Sequence, residues 1–179
     1  METFWANGYD ATSVPTLTEA MGISAQSLYA AFESKDALYR EAIELYRSTV
    51  GGFGSRAMAE EDDAVAAMAR LFRDAATAFS SSPKHPGCML TMAPAGQAED
   101  PLTVFGRQLR AEGLRQVKER LERGVRDGQL RADADRDAWA RYVVGVLQGL
   151  STQARDGETR ERLLTTAEIA ARSLDMLRK

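Results

Sequence analysis

Gln26, Ser27 and Tyr29 are the side chains of this 179-residue chain whose types and spacing point most directly to a chemistry. On a helix they share an outer face with Ala30, opposite Leu28 and Phe32, which sit four residues apart on the inner face. A glutamine amide can pair with the edge of adenine, and hydroxyls bond base edges or phosphates. Ser24 precedes them as a helix cap that accepts a backbone N–H. The chemistry such a face would suit is recognition of double-stranded DNA through the major groove, although an ordinary helical hairpin can carry the same residues.

Catalysis finds less support. His85, the one histidine, lies in the loop Ser80-Ser81-Ser82-Pro83-Lys84-His85-Pro86-Gly87 with nothing spaced to orient it as a base, and is expected at the surface. Cys88 lies three residues on, but one His and one Cys do not make a zinc site, and a small buried hydrophobe is its expected role. No phosphate-binding glycine loop and no nucleophile elbow occurs. Glu60, Glu61, Asp62 and Asp63 open a helix, where the dipole favours negative charge without a metal. No catalytic residue, metal site or cofactor is assigned.

The elements that must position Gln26 and its neighbours follow from the same periodicity. Val14, Leu17 and Met21 fall on one face of a short helix, Gly22 ends it, and Ile23 plugs the turn before the second helix. Two short helices, a glycine turn and a shared apolar seam form a helix-turn-helix. An ordinary helical hairpin can show the same seam. The segment GYDATSVPTLTEAMGISAQSLYAAFESKDALYREAI, however, resembles the DNA-binding domain of the tetracycline-repressor (TetR/AcrR) family. The matching residues are Gly8, Tyr9, Thr12, Ser13, Val14, Gly22, Ile23, Ser24, Leu28, Tyr29, Phe32, Ser34, Lys35, Asp36 and Leu38.

The resemblance implies a one-component transcriptional repressor that binds a palindromic operator as a homodimer and is released by a small-molecule effector. DNA contacts are expected from Ser13, Ser24, Gln26, Ser27, Tyr29 and Lys35. Ala30 and Ala31 replace the His and Tyr often found before Phe32, a lysine common near Ala25-Gln26 is missing, and Thr18 stands where Ala is usual. In the family a longer first helix crosses the DNA backbone. Met1 to Asn7 is only about two turns, so the chain is expected to be truncated within that helix.

Charge opposes the assignment. Residues 1–50 hold Lys35, Arg40 and Arg47 against Glu2, Asp10, Glu19, Glu33, Asp36, Glu41 and Glu44, whereas phosphate binding wants cations or free N–H groups. A ligand-binding helical dimer with weak or lost DNA binding is therefore the alternative reading. The whole chain has a net charge of −3, 44% hydrophobic residues and a single cysteine, which excludes an internal disulfide. No apolar run approaches the roughly 20 residues that span a bilayer, and the start shows no export signal. A cytoplasmic protein is expected.

The fold expected is all-α. A helix-turn-helix domain occupies residues 1–50, and a helical effector-binding and dimerisation domain occupies 51–179. The fourth helix, after Ser34, carries Leu38, Ile43, Leu45, Tyr46 and Val50 and ends at Gly51, Gly52 and Gly54. Further helices are expected over Glu60–Phe79, Gly87–Ala98, Asp100–Asp127, Asp133–Arg155 and Glu158–Leu177. Arg120 belongs to the charged outer face of the third of these.

Phe72, Phe79, Met89, Met92, Phe105, Trp139, Tyr142 and Val146 come from four of these helices, and the family's effector-binding habit makes them the expected cavity lining. Thr91, Tyr142 and Gln148 would orient a mostly apolar ligand. Gly145 and Gly149 each cost a helix about 1 kcal/mol relative to alanine, which the close approach of another helix or a ligand would explain. The small-and-leucine face of the last two helices predicts a four-helix dimer interface.

Overall fold

The computed structural model describes residues 1–179. It is all-helical: α1 (Glu2–Asn7), α2 (Val14–Met21), α3 (Ala25–Phe32), α4 (Lys35–Ser48), a 3-10 turn (Val50–Gly52), α5 (Phe53–Glu60), α6 (Ala64–Phe79), α7 (Pro101–Arg126), α8 (Arg136–Arg155) and α9 (Arg160–Ser173), closed by a second 3-10 turn at Leu174–Leu177. No helix is long and apolar enough to cross a membrane.

α6 is the mast of the larger part. Val65, Met68, Leu71, Phe72, Ala75, Ala76 and Phe79 are all buried, and α5, α7, α8 and α9 pack around it. Its alanines let the surrounding helices come close. The N-cap is Asp63, whose carboxylate accepts from Ala66 N at 2.8 Å and from Arg178 at the chain's other end. Asp63 thus ends the acidic run Glu60–Asp63 as a cap rather than within the helix, and α6 begins at Ala64. The residues after Gly52 form α5.

Three further expectations are corrected. Gly87 to Ala98 is not a helix: after one turn closed by Met92 N to Cys88 O, the chain passes Pro94 and the positive-φ Gly96. Its apolar residues are buried from several sides, which mimics a helical stripe in sequence. This strap is pinned at its start by Ser151 Oγ, which accepts from the buried Cys88 N–H at 2.8 Å. At its far end Arg110 donates to the Ala93 and Pro94 carbonyls at 2.9 and 3.0 Å. Gly106 is required there, because a Cβ on it would lie 2.1 Å from the Pro94 oxygen.

Arg120 is buried rather than on an outer face; it donates to the Glu61 and Asp62 carbonyls beyond the end of α5, where backbone acceptors lack helical donors. Leu45 and Met21 point to solvent, at 51% and 42% exposure. Tyr39 and Ala42 fill the inner face of α4 instead.

Glu33, the residue that ends α3, has φ 63° and ψ −42°, the chain's one non-glycine positive φ. Such a conformation costs about 1–3 kcal/mol for a residue with a Cβ. Its side chain is exposed. Glu33→Gly is expected to stabilise the fold by about 1 kcal/mol, after the greater chain entropy of glycine is subtracted. That is a rise in melting temperature of about 2–4 °C; a fall would contradict the strain. Ser151→Ala strands the Cys88 amide and should cost about 1–3 kcal/mol. Thr152→Ala, one residue on at an exposed position, should stay within about 0.5 kcal/mol. Parallel thermal melts decide between them.

Candidate nucleic-acid interface and effector cavity

The hairpin α2–α3 is built from local chemistry. Ser13 Oγ accepts from Thr16 N at 3.2 Å and Ser24 Oγ from Ser27 N at 3.1 Å. Both hydroxyls are thus already used as caps, leaving the free N–H groups of the first helical turns to meet an anion. Gly22 adopts the left-handed conformation, φ 65° and ψ 31°, that turns the chain between the helices. Leu17 and Leu28 are buried beneath.

Above this seam Gln26, Ser27 and Tyr29 stand exposed, Tyr29 at 47%. α3 itself contains no charged residue. The acidic surplus of this region lies on other elements and is partly engaged: Asp36 accepts from the Tyr9 hydroxyl and Glu44 from Arg47. Lys35 sits at the start of α4, its Nζ 4.0 Å from the centroid of the Tyr9 ring. Of the six residues expected to touch DNA, Ser24, Gln26, Ser27 and Tyr29 cap or lie on this short neutral helix, whereas Ser13 caps α2 and Lys35 opens α4.

This reading unit is held to the rest through Trp5 and α4. The indole Nε1 donates to the Gly87 carbonyl at 3.1 Å in a buried contact. The same ring meets Tyr46 edge-on at 5.1 Å and stacks on His85 at 5.4 Å. His85 is half-buried by that stacking and not the free surface residue expected. On the other side of α4, Arg40 donates to the Pro101 carbonyl and lies over the Phe105 ring at 4.3 Å.

Behind α4 lies a half-open cavity of about 410 Å³, lined by α4, the first 3-10 turn, α5, α6, the strap, α7 and α8. Its apolar wall includes Phe53, Leu71, Phe79, Leu109, Val117 and Leu147, and Thr91 and Gln148 add polar groups. Of the eight residues expected to line it, Phe79 alone does so. Phe72 and Met89 are sealed in the core. Met92 packs under Arg155 and beside Gly8. Phe105 carries Arg40.

Trp139 and Tyr142 meet edge-on at 5.5 Å, and the Tyr142 hydroxyl accepts from Ser173. Val146 lies outside the cavity wall. Periodicity marks the apolar face of α8, but Val144, Leu147 and Gln148 are the residues that reach the cavity.

Tyr46 is the lining residue that the sequence hides. It sits on α4 among core aromatics, yet it borders the cavity while fully buried, and its hydroxyl has no hydrogen-bond partner. Burial, with the neighbouring Cys88 thiol, pushes its phenol far above the ordinary tyrosine range, so it stays protonated. A buried hydroxyl left unpaired costs about 1–3 kcal/mol.

Residues 1–42 match the family model described as bacterial regulatory proteins, tetR family. Over 173 residues the chain is 29% identical to the HTH-type transcriptional repressor ComR of Escherichia coli, covering 93% of this chain and 81% of that protein. Among solved structures it is similar to a cysteine-substituted form of the TetR family transcriptional regulator CifR complexed with 26 bp double-strand operator DNA. The TM-score is 0.89 at 38% identity, covering 96% of this chain and 91% of that one. A putative TetR transcriptional regulator from Rhodococcus sp. RHA1 matches at 33% identity with a TM-score of 0.68, over 100% and 96% of the two chains. With a helix-turn-helix hairpin, a cavity among the central helices and likeness over nearly its whole length, this chain belongs to the TetR family of transcriptional regulators.

Proposed function

We propose that the protein is a transcriptional repressor that binds a palindromic operator as a homodimer and releases it when a small, mostly apolar effector enters the cavity. Residues 1–50 form the reading unit and residues 51–179 the effector-binding and dimerising unit. The observation that carries this reading is the exposed, charge-free α3 with its serine-capped N-terminus. Gln26 and Ser27 read base edges, while Ser13, Ser24, Tyr29 and Lys35 place the hairpin on the phosphates. With so few cations, backbone N–H groups take a large share of the phosphate contacts. Such a protein acts in the cytoplasm, where its operator is, and its activity is regulatory rather than catalytic.

Dimerisation through α8 and α9 has its own support. Tyr142, Ile169 and Met176 are exposed, Ile169 at 61% and Met176 at 69%. A Cβ added at Gly145 or Gly149 would have no atom within 4 Å, so nothing in this chain needs those glycines. A partner's helix crossing there would use the room they leave.

Two measurements test the reading. Fluorescence anisotropy on DNA from the gene's own upstream region should show saturable binding that outcompetes random DNA. The double variant Gln26→Ala, Tyr29→Ala should lose about tenfold to a hundredfold in affinity, as expected for loss of one base contact worth about 1–3 kcal/mol together with a weaker phosphate contact. Equal binding to random DNA would favour the alternative, a helical ligand-binding dimer whose DNA role has lapsed. In sedimentation, Ile169→Glu should convert dimer to monomer; an unchanged dimer would place the interface elsewhere.

A further inference from the structure

One cation on the cavity wall has no anionic counterpart. The two carboxylates among the lining residues, Glu44 and Glu112, are spent on Arg47 at 3.1 Å and Arg115 at 2.6 Å, in ion pairs open to solvent. Arg110 is left over. It forms no ion pair, and its guanidinium donates only to the Ala93 and Pro94 carbonyls, at 2.9 and 3.0 Å. Carbonyls satisfy two of its five N–H groups without neutralising the charge. The Nε–H has no partner in the chain and, unlike the sealed Nε of Arg120, reaches solvent. Burial above all, with repulsion from Arg107 added, pulls the Arg110 pKa below the ordinary arginine value. The charge is therefore held at a cost that a bound anion would offset.

Building on the effector-cavity reading above, we propose that the effector is a monoanionic amphipath, an apolar body carrying one carboxylate, and that Arg110 receives the carboxylate. One unmatched guanidinium calls for one negative charge, and its planar fork fits the two oxygens of a carboxylate. Leu109, Val117 and Leu147 offer the apolar body a wall on either side, from α7 and α8. Gln148 borders both the cavity and the groove between α7 and α8, as Arg110 does, and its side-chain amide makes no hydrogen bond within the chain. That amide adds a neutral donor to the same stretch of wall. An uncharged ligand would leave the guanidinium unmatched, and a cation would be repelled by it.

The position of Arg110 gives the contact a consequence. The same guanidinium fixes the far end of the strap, whose near end is held by Trp5 at Gly87. Charge-assisted hydrogen bonds are about twice as strong as neutral ones. A carboxylate therefore competes with the Ala93 and Pro94 carbonyls for this side chain, and the contact that selects the ligand also loads the strap.

Calorimetric titration with three near-isosteric probes tests this: anionic 2-naphthoate, neutral 2-naphthamide and cationic 2-naphthamidine. The carboxylate should bind about tenfold tighter than the amide, about 1.4 kcal/mol, and the amidinium weakest. Arg110→Gln should bring the carboxylate down to the amide's affinity. Arg107→Gln, which removes a neighbouring charge from outside the cavity wall, should leave the preference in place. Equal binding of carboxylate and amide, tightest binding of the amidinium, or a carboxylate preference that survives Arg110→Gln or is lost in Arg107→Gln would overturn the proposal while leaving an effector cavity in place. Failure of all three probes to bind would overturn the cavity reading and this proposal with it. If Arg110→Gln does not fold, the carboxylate-to-amide ratio in the wild-type protein decides alone.

Discussion

The architecture depends on the burial of one indole. Trp5 belongs to the shortest helix, but its ring is wedged between Tyr46 of α4 and His85 of the loop, and its N–H is spent on the Gly87 carbonyl. One residue further on, the Cys88 amide is spent on Ser151 of α8. Two buried hydrogen bonds therefore run from the reading unit through the strap to a helix proposed to meet the partner subunit. Buried polar groups with a single available partner resist rearrangement, because breaking the bond strands both members. The joint is accordingly stiff, and a change at the cavity wall has a physical route to the hairpins.

The reading unit itself is thinly supported by charge. An exposed hairpin whose recognition helix has no charged side chain must draw its affinity from backbone N–H groups, Lys35 and base edges. In a dimer, release then needs only a modest change in the distance between two hairpins, since each contributes few contacts. Effector binding biases the equilibrium between matched and mismatched spacings by its difference in affinity for the two.

How much of this was legible in the sequence varies with the range of the interactions involved. The caps and turn of the hairpin were legible, because Ser13, Gly22, Ser24 and Ser34 act through bonds spanning only a few residues, although Met21 of its expected seam faces solvent. Four helices of the larger part, α6 to α9, were legible in approximate position because their stripes are long, whereas α5 was not expected. The strap was not, because Cys88, Met89 and Ala93 are buried without a helix of their own, in a segment anchored by Trp5, Ser151 and Arg110 from three distant helices. The cavity lining was the least legible. Periodicity says which face of α8 is apolar but not how that face is shared between core and cavity, so Trp139 and Tyr142 were expected there and Val144 and Leu147 were overlooked. Tyr46 read as core, and it is core; its missing hydrogen-bond partner exists only in three dimensions.

The account's central claim is that two copies of α3 read one operator together. A hydroxyl-radical footprint on the upstream DNA tests it most directly. The account predicts two protected patches related by two-fold symmetry, their centres about one helical turn apart or modestly more, on a sequence with matching half-sites. A single asymmetric patch, or uniform protection that shifts with protein concentration, would contradict it.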